Sequence, residues 1–272
     1  MMGMSVNSAR PAAFFDLDKT IIAKSSALAF SKPFYDEGLL KRRNLLRSAA
    51  AQFMFSLKGA DNDRLTLIRD EISRLVKGWD VDTVRRTIDE TFDEIIEPMI
   101  HSEALDLIEE HRAQGHPIVI VSASGDVMVE PIGRRLGVDH VISTRMSVID
   151  NKFSGEITYY AHGPTKAEAM RELAERENYD LAASFAYSDS ATDIPMLEAV
   201  GHPFAVNPDK PLREKAEESG WPILEFKRPV RLAKAANYKP TLSQVAVGGA
   251  IVGAATIAGV VGYKIRHRDP LG

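Results

Sequence analysis

Three short apolar runs in this chain each finish on a cluster of polar side chains, and that repeated ending restricts the fold more than any other feature. They are AAFFDLD at 12–18, IVIVSAS at 118–124 and SFAYSDS at 184–190. Continuous apolar runs of this length, bounded by turn residues, read as strands buried on both faces. PFAVN (203–207) and PILEF (222–226) read as two more. Helical periodicity falls between them at 103–114, 127–136 and 166–177, the last carrying Ala169, Met170, Leu173 and Ala174. Strands alternating with helices imply an α/β fold: a parallel sheet with helices on both faces. In such sheets sites form beyond the carboxyl ends of the strands, where these polar clusters fall.

Between 24 and 97 no strand pattern occurs. Leu65, Ile68, Ile72, Leu75 and Val76 share one helical face, and Val81, Val84, Ile88, Phe92 and Ile95 share the next, with Gly78 and Asp80 separating them. Upstream, 39–57 reads as a further helix carrying Arg42, Arg43 and Arg47. The expectation is a helical cap at 24–97, inserted in the first crossover and acting as a lid over the strand ends. Arg42, Arg43 and Arg74 lie in that cap. The core would then comprise 12–23 and 98–226.

Composition removes several chemistries. With no cysteine, disulfides, thiolate catalysis and cysteine metal sites are excluded. A net charge of −4 gives no reason to expect nucleic acid as a partner. His101, His111, His116, His140, His162, His202 and His267 show no metal-ligand spacing. The N-terminal MMGMSVNSARP has no apolar run after its arginine, so no cleaved signal peptide is expected.

The C-terminal part differs in character. VAVGGAIVGAATIAGVVG at 245–262 is 18 residues without a charge. As a helix it would rise about 27 Å, close to the hydrocarbon thickness of a bilayer. With Ile265 as its end it is expected to be a transmembrane helix at 245–265; a glycine-rich core segment or a tail is the alternative. Gly249 and Gly253 form a GxxxG, suited to a helix-mediated homodimer. A basic linker at 227–244, with Lys227, Arg228, Arg231, Lys234 and Lys239, suits anionic headgroups, with an ordinary solvated linker as the alternative. These features predict a single-pass protein of the cell membrane with its main domain cytoplasmic; a cytoplasmic protein is the alternative.

Asp16 and Asp18 close the first strand in a DxDxT pattern. Two like charges this close cost free energy unless a cation or proton offsets them. On an extended segment, residues two apart face the same way, so both carboxylates would address one pocket. There they would hold Mg2+, or divide labour as nucleophile and general acid–base; a capping turn is the plain alternative. Ser122, with Ser124 and Gly125 before a helix, suits a phosphate or an ordinary helix cap. Lys166 stands in the first turn of a helix, against the dipole, which points to an anionic partner or to a surface lysine. Asp189 and Asp193 supply carboxylates for a metal, or a turn with its cap. Each is ambiguous alone. In this order, at strand ends and helix starts, they form the kit that phosphoryl transfer needs.

The set resembles the haloacid dehalogenase superfamily, in the branch of phosphoserine phosphatase and related small phosphatases. FFDLDKT resembles its first motif, IVIVSAS its second, the lysine of GPTKAEAM its third and YSDSATDIPML its fourth, with Lys166 placed 23 residues before Asp189. The resemblance implies a Rossmann-like core with a helical cap, and a Mg2+-dependent phosphomonoester hydrolase working through an aspartyl-phosphate. It implies Asp16 as nucleophile and Asp18 as acid and base. Thr20, Ser122, Ala123 and Lys166 would hold the phosphate. Asp16, Asp18 (through its carbonyl) and Asp189 would hold the metal, supported by Asp193. Two positions depart from the phosphoserine enzymes. Their glutamate nine residues after the nucleophile is Ser25 here, and their GDGxND is SDSATD, with Ser188, Ser190 and Thr192 substituted. The expected substrate is therefore a small phosphorylated molecule, a lipid or headgroup phosphate among the candidates. A phosphotransferase, a phosphoserine phosphatase and a non-enzymatic receiver-like switch are the alternatives.

Overall fold

The computed structural model describes residues 9–40 and 62–227. Seven strands form one sheet in the order β4-β3-β2-β1-β5-β6-β7. They are β1 (Ala13–Phe15), β2 (Ile118–Gly125), β3 (His140–Ile149), β4 (Lys152–Tyr159), β5 (Phe185–Ser188), β6 (His202–Val206) and β7 (Ile223–Leu224). Every pairing is parallel except β3 with β4. The chain leaves β1 toward β2 on one side and returns from β4 to β5 on the other. β1 is thus a topological switch point, and the crevice above such a point is where open α/β sheets bind ligands.

Side-chain alternation along β1 builds two separate cores. Ala13 and Phe15 join Ile118, Ile120, Phe185 and Tyr187 on one face. Ala12 and Phe14 join Val119, Val121 and Ala186 on the other. The first face is covered by α5 (Ser102–Ala113) and α6 (Asp126–Leu136), the second by α7 (Pro164–Glu177), α8 (Ile194–Glu198) and α9 (Lys210–Ser219). Phe15 stacks on Tyr187 at 4.5 Å between centroids, and Tyr187 on Phe204 at 4.9 Å, so the strands beneath the site are locked by aromatic packing. Under them His111 is buried, its Nε2 2.8 Å from the Tyr187 hydroxyl and its Nδ1 2.9 Å from His116 Nδ1.

The described part of 24–97 is helical: α1 (Ser26–Ala29), α2 (Ser31–Asp36), α3 (Asn62–Val76) and α4 (Val81–Ile95). Asp80 caps α4 by accepting from the Thr83 amide at 2.9 Å, and α4 buries Val81, Val84, Ile88 and Phe92. The expected helix at 39–57 falls almost wholly outside the described residues, as do the basic linker beyond Lys227 and the expected transmembrane helix at 245–265. Among the described residues, no helix is long and apolar enough to cross a membrane.

The β3–β4 hairpin is absent from the sequence reading. Its turn is Asp150–Asn151, both with positive φ (48° and 59°), the two-residue geometry that matches strand twist. The hairpin edge continues into the helical segment. Val81 N donates to Asn151 O (2.9 Å), Phe153 N to Trp79 O (3.0 Å) and Gly78 N to Phe153 O (2.8 Å). Main-chain hydrogen bonds therefore fix the α3–α4 connection to the sheet.

Candidate active site

Asp16 is the first residue past β1. Its amide donates to Tyr187 O at 2.9 Å, which carries the β1–β5 ladder one step further and fixes the carboxylate at the sheet's carboxyl edge. The chain then reverses. Leu17 O accepts from the amides of Ile21 and Ile22, both at 3.0 Å, and Lys19 takes the left-handed conformation (φ 64°) inside that loop.

The strand ends at Phe15, so the expectation of two carboxylates aligned on one extended segment gives way to a division. Asp16 Oδ1 accepts from Lys166 Nζ at 2.7 Å. Asp18 turns elsewhere: Oδ1 accepts from the Ser26 amide at 2.7 Å and Oδ2 from Ser124 Oγ at 2.8 Å. Ser26 Oγ and Ser124 Oγ are 3.0 Å apart and join the start of α1 to the end of β2.

Lys166 is the third residue of α7 and is buried. Its Nζ also donates to Asp193 Oδ2 at 2.8 Å, and Ser188 Oγ donates to the same oxygen at 2.7 Å. Burial alone would lower the Lys166 pKa, but Asp16 and Asp193 outweigh it and hold the ammonium above its usual value. Asp189, one residue past β5, is buried too. Its carbonyl accepts from the Asp209 amide at 2.8 Å, and the exposed Lys19 Nζ stands 3.9 Å from Oδ2. Burial pushes Asp189 up to about 7. Burial also raises Asp16 well above the usual carboxylate range; Lys166 opposes this, while Asp193 and Asp189 add to it.

These groups are short of positive charge. Three buried carboxylates, Asp16, Asp189 and Asp193, surround one buried ammonium. A divalent cation would correct the imbalance, and an all-oxygen donor set suits Mg2+. Among the described residues, no group of three or more His, Asp or Glu side chains is placed to hold a metal. A cation here would thus rest on two carboxylates, with carbonyl and water oxygens completing it. The residues present fit such an ion.

The remaining expected residues lie close by in the chain. Ser122 is buried within β2, at the last paired position before the register shifts, its Oγ accepting from the Ser124 amide at 3.2 Å. The β2–β3 register shifts between Ser122 and Gly125, which lifts Ala123 and Ser124 out of the ladder, and Ala123 O accepts from Thr144 Oγ1 at 2.7 Å. Thr20 Oγ1 is buried and has no hydrogen-bond partner, a cost that a bound phosphate oxygen would remove. Sequence reasoning missed Ser26, Ser124 and Ser188 as partners of the acidic groups, and Lys19 as the cation beside Asp189. The Ser124–Gly125 helix start was a signal for one of them; Ser26 and Lys19 depend on how the chain reverses after Leu17, and Ser188 on how the loop after β5 brings Asp193 back to it.

A family model described as haloacid dehalogenase-like hydrolase matches residues 13–198. A Streptomyces azureus protein named for inhibition of morphological differentiation is 55% identical over 265 residues, 95% of each chain. A "probable phosphatase" of Mycobacterium tuberculosis is 50% identical over 266 residues, 98% of this chain and 92% of that one. Among solved structures, a phospho-aspartyl intermediate analogue of phosphoserine phosphatase superposes with a TM-score of 0.57 at 22% identity. It covers 86% of this chain and all of its own, a likeness of fold.

Proposed function

Because this chain belongs to the haloacid dehalogenase-like hydrolases, we propose that it hydrolyses small phosphomonoesters through a phosphoenzyme formed on Asp16. The observation that carries the reading is the division of the DxD pair. Asp16 sits at the switch point on Lys166, while Asp18 is held apart by Ser26 and Ser124.

Asp16 attacks phosphorus as the P–O bond to the alcohol breaks, and Asp18 protonates the departing oxygen. Asp18, now a carboxylate, takes a proton from water as that water attacks the phosphoenzyme. The P–O bond to Asp16 then breaks and inorganic phosphate leaves, with both aspartates restored. Asp18's two donors hold the carboxyl beside the leaving group through both steps. Lys166, Ser122, Thr20 and the Ala123 amide would meet the phosphoryl oxygens. Mg2+ would be held by Asp16, Asp189 and the Asp18 carbonyl, with Asp193 orienting Lys166, and it would supply the charge neutralisation that lets a phosphate dianion approach a carboxylate.

Position 25, where the phosphoserine enzymes place a charge, is an uncharged serine that opens α1. This weighs against phosphoserine, because a site lacking an ion-pair partner does not select a substrate that needs one. Membrane anchoring through 245–265 and the basic stretch before it is a separate proposal, supported by sequence alone. Retention of the full chain in the membrane pellet after a carbonate wash tests it.

Phosphate release from a panel of phosphomonoesters with Mg2+ tests the reaction. Asp16→Asn is expected to lose about a thousandfold or more, and chelation of the metal to abolish turnover. Undiminished release by Asp16→Asn would rule out the phosphoenzyme. Loss of phosphate release in favour of a phosphorylated added alcohol would make the enzyme a phosphotransferase.

A further inference from the structure

A cavity lies against the first turn of α7, one residue along the chain from Lys166, and no step above uses it. Its volume is about 390 Å³, and Arg69, Ile157, Tyr159, Tyr160, His162 and Pro164 line it. It lies where α3 meets the end of β4 and the first turn of α7, so Lys166 follows directly on its wall. Thr165 of the lining precedes Lys166, and a Cβ on Gly163 would lie 3.7 Å from Thr192 O, so the segment that carries Tyr160 and His162 runs beside the Lys166–Asp193 pair.

Three features show a prepared surface. The rings of Tyr160 and His162 stack in an offset parallel arrangement, 5.4 Å between centroids and 9° from parallel. Their backbone is fixed by Thr165, whose Oγ1 accepts from the His162 amide at 3.0 Å and lies 2.5 Å from Tyr160 O. Burial keeps both rings uncharged near neutrality, raising the Tyr160 pKa and lowering that of His162. Among the described residues Arg69 is the one formally charged lining group, held by a 3.2 Å bond from Nη2 to Ile157 O. An apolar cavity of about 150 Å³ is enough to hold benzene, so this one accommodates a single or fused ring.

We propose that this cavity is the leaving-group subsite, and that it selects phosphomonoesters whose alcohol carries a planar aromatic ring bearing an acidic substituent. The ring lies against the Tyr160–His162 stack and the acid meets the Arg69 guanidinium. The proposal rests on the phosphatase reading and narrows its substrate class.

Three synthetic esters with leaving groups of similar basicity separate the contributions: propyl phosphate, 2-phenylethyl phosphate and the 4-carboxy derivative of the latter. The wild type with Mg2+ is expected to favour the phenyl ester over the propyl ester by about three- to tenfold in kcat/KM, and the carboxylated ester by a further several-fold. Tyr160→Leu brings the phenyl-to-propyl ratio toward one, and Arg69→Ala removes only the carboxylate gain. Should Tyr160→Leu melt below the assay temperature, His162→Ala makes the same test. Equal kcat/KM for the propyl and phenyl esters in the wild type overturns the subsite while leaving the phosphatase reading intact, as does a ratio that Tyr160→Leu leaves unchanged. Absence of phosphate release from every ester overturns the phosphatase reading. The subsite is then judged by calorimetric binding of the same esters to Asp16→Asn, where equal affinities overturn it.

Discussion

At the scale of single residues, the site depends on keeping two aspartates two positions apart in different company. Asp16 faces a buried ammonium, whereas Asp18 faces one amide and one hydroxyl. The Ser26 amide cannot be removed by substitution, so Ser124 is the experimental handle on Asp18. Ser124→Ala deletes the 2.8 Å bond and leaves the carboxylate with the Ser26 amide as its donor among the described residues. A hydrogen bond to a charged group contributes about 1.5 kcal/mol, which as lost positioning is about a tenfold fall in kcat. On the proposed mechanism KM is expected to stay within about twofold, because Ser124 Oγ is bonded to Asp18. Steady-state kinetics on any active ester reads this split, and a rise in KM with unchanged kcat would place Ser124 on the substrate instead. Asp16, Lys166, Asp189 and Asp193 were legible in the sequence because each follows an apolar run or opens a helix, and such positions are fixed by periodicity. Ser26 and Lys19 were not. Their contacts arise from the reversal after Leu17, where φ at Lys19 is 64°, and no pattern in DLDKT announces that turn.

Among the elements, the sheet's interior strands were readable and its β4 edge was not. β1, β2 and β5 are buried along almost their whole length, so they are continuous apolar runs. β3 and β4 are half exposed, and polar residues interrupt them: Ser143, Thr144 and Arg145 in one, Ser154, Gly155 and Glu156 in the other. The Asp150–Asn151 turn was the available signal. This unread hairpin is also what the described helical segment docks against. Gly155 has φ +87°, and a Cβ there would lie 3.1 Å from both Ser73 O and Lys77 Cβ. Ser73 Oγ also donates to Gly155 O, so α3 and β4 meet backbone to backbone. Gly155→Ala adds a strained backbone to a close contact that α3 cannot easily relieve, at a cost of about 1–3 kcal/mol. For a domain of this size each kcal/mol is roughly 2–4 °C in Tm, which thermal melting resolves. Because Arg69 is on the same helix, the substitution is also expected to reduce any preference for the carboxylated ester. An unchanged Tm would mean that α3 moves away from β4 at little cost.

For the whole molecule, the buried carboxylates of Asp16 and Asp189 oppose folding when no cation is present, and the effect has a definite sign in pH. In an unfolded chain Asp189 titrates near its ordinary value of about 3.9, whereas burial holds it at about 7 in the fold. Between those values the folded protein binds more protons than the unfolded one, so stability falls as pH rises, and the loss is complete above about 7. Asp16 is raised by burial in the same direction. His111 works at the other end. Burial, with His116 beside it, lowers its pKa to about 3, so stability also falls as pH drops from its unfolded value of about 6.5 toward 3. The two windows overlap between about 4 and 6.5, where the Asp189 and His111 losses run in opposite directions; Asp16 adds to the first, so the cation-free protein is expected to be most stable at the acid end of that overlap. A cation at Asp16 and Asp189 binds their ionised forms and offsets only the first loss, since His111 lies behind Tyr187 and away from the carboxylates. The gain in Tm on adding millimolar Mg2+ should then be about a degree or less near pH 5, rise through neutrality and level off near pH 8 at roughly 5–10 °C. Calorimetric scans with Mg2+ and with chelator across that range measure the difference directly, and the His111 contribution cancels because it is common to both. A gain that did not vary with pH would show that the ion binds without displacing a proton from these aspartates, and the site would then have to lie elsewhere.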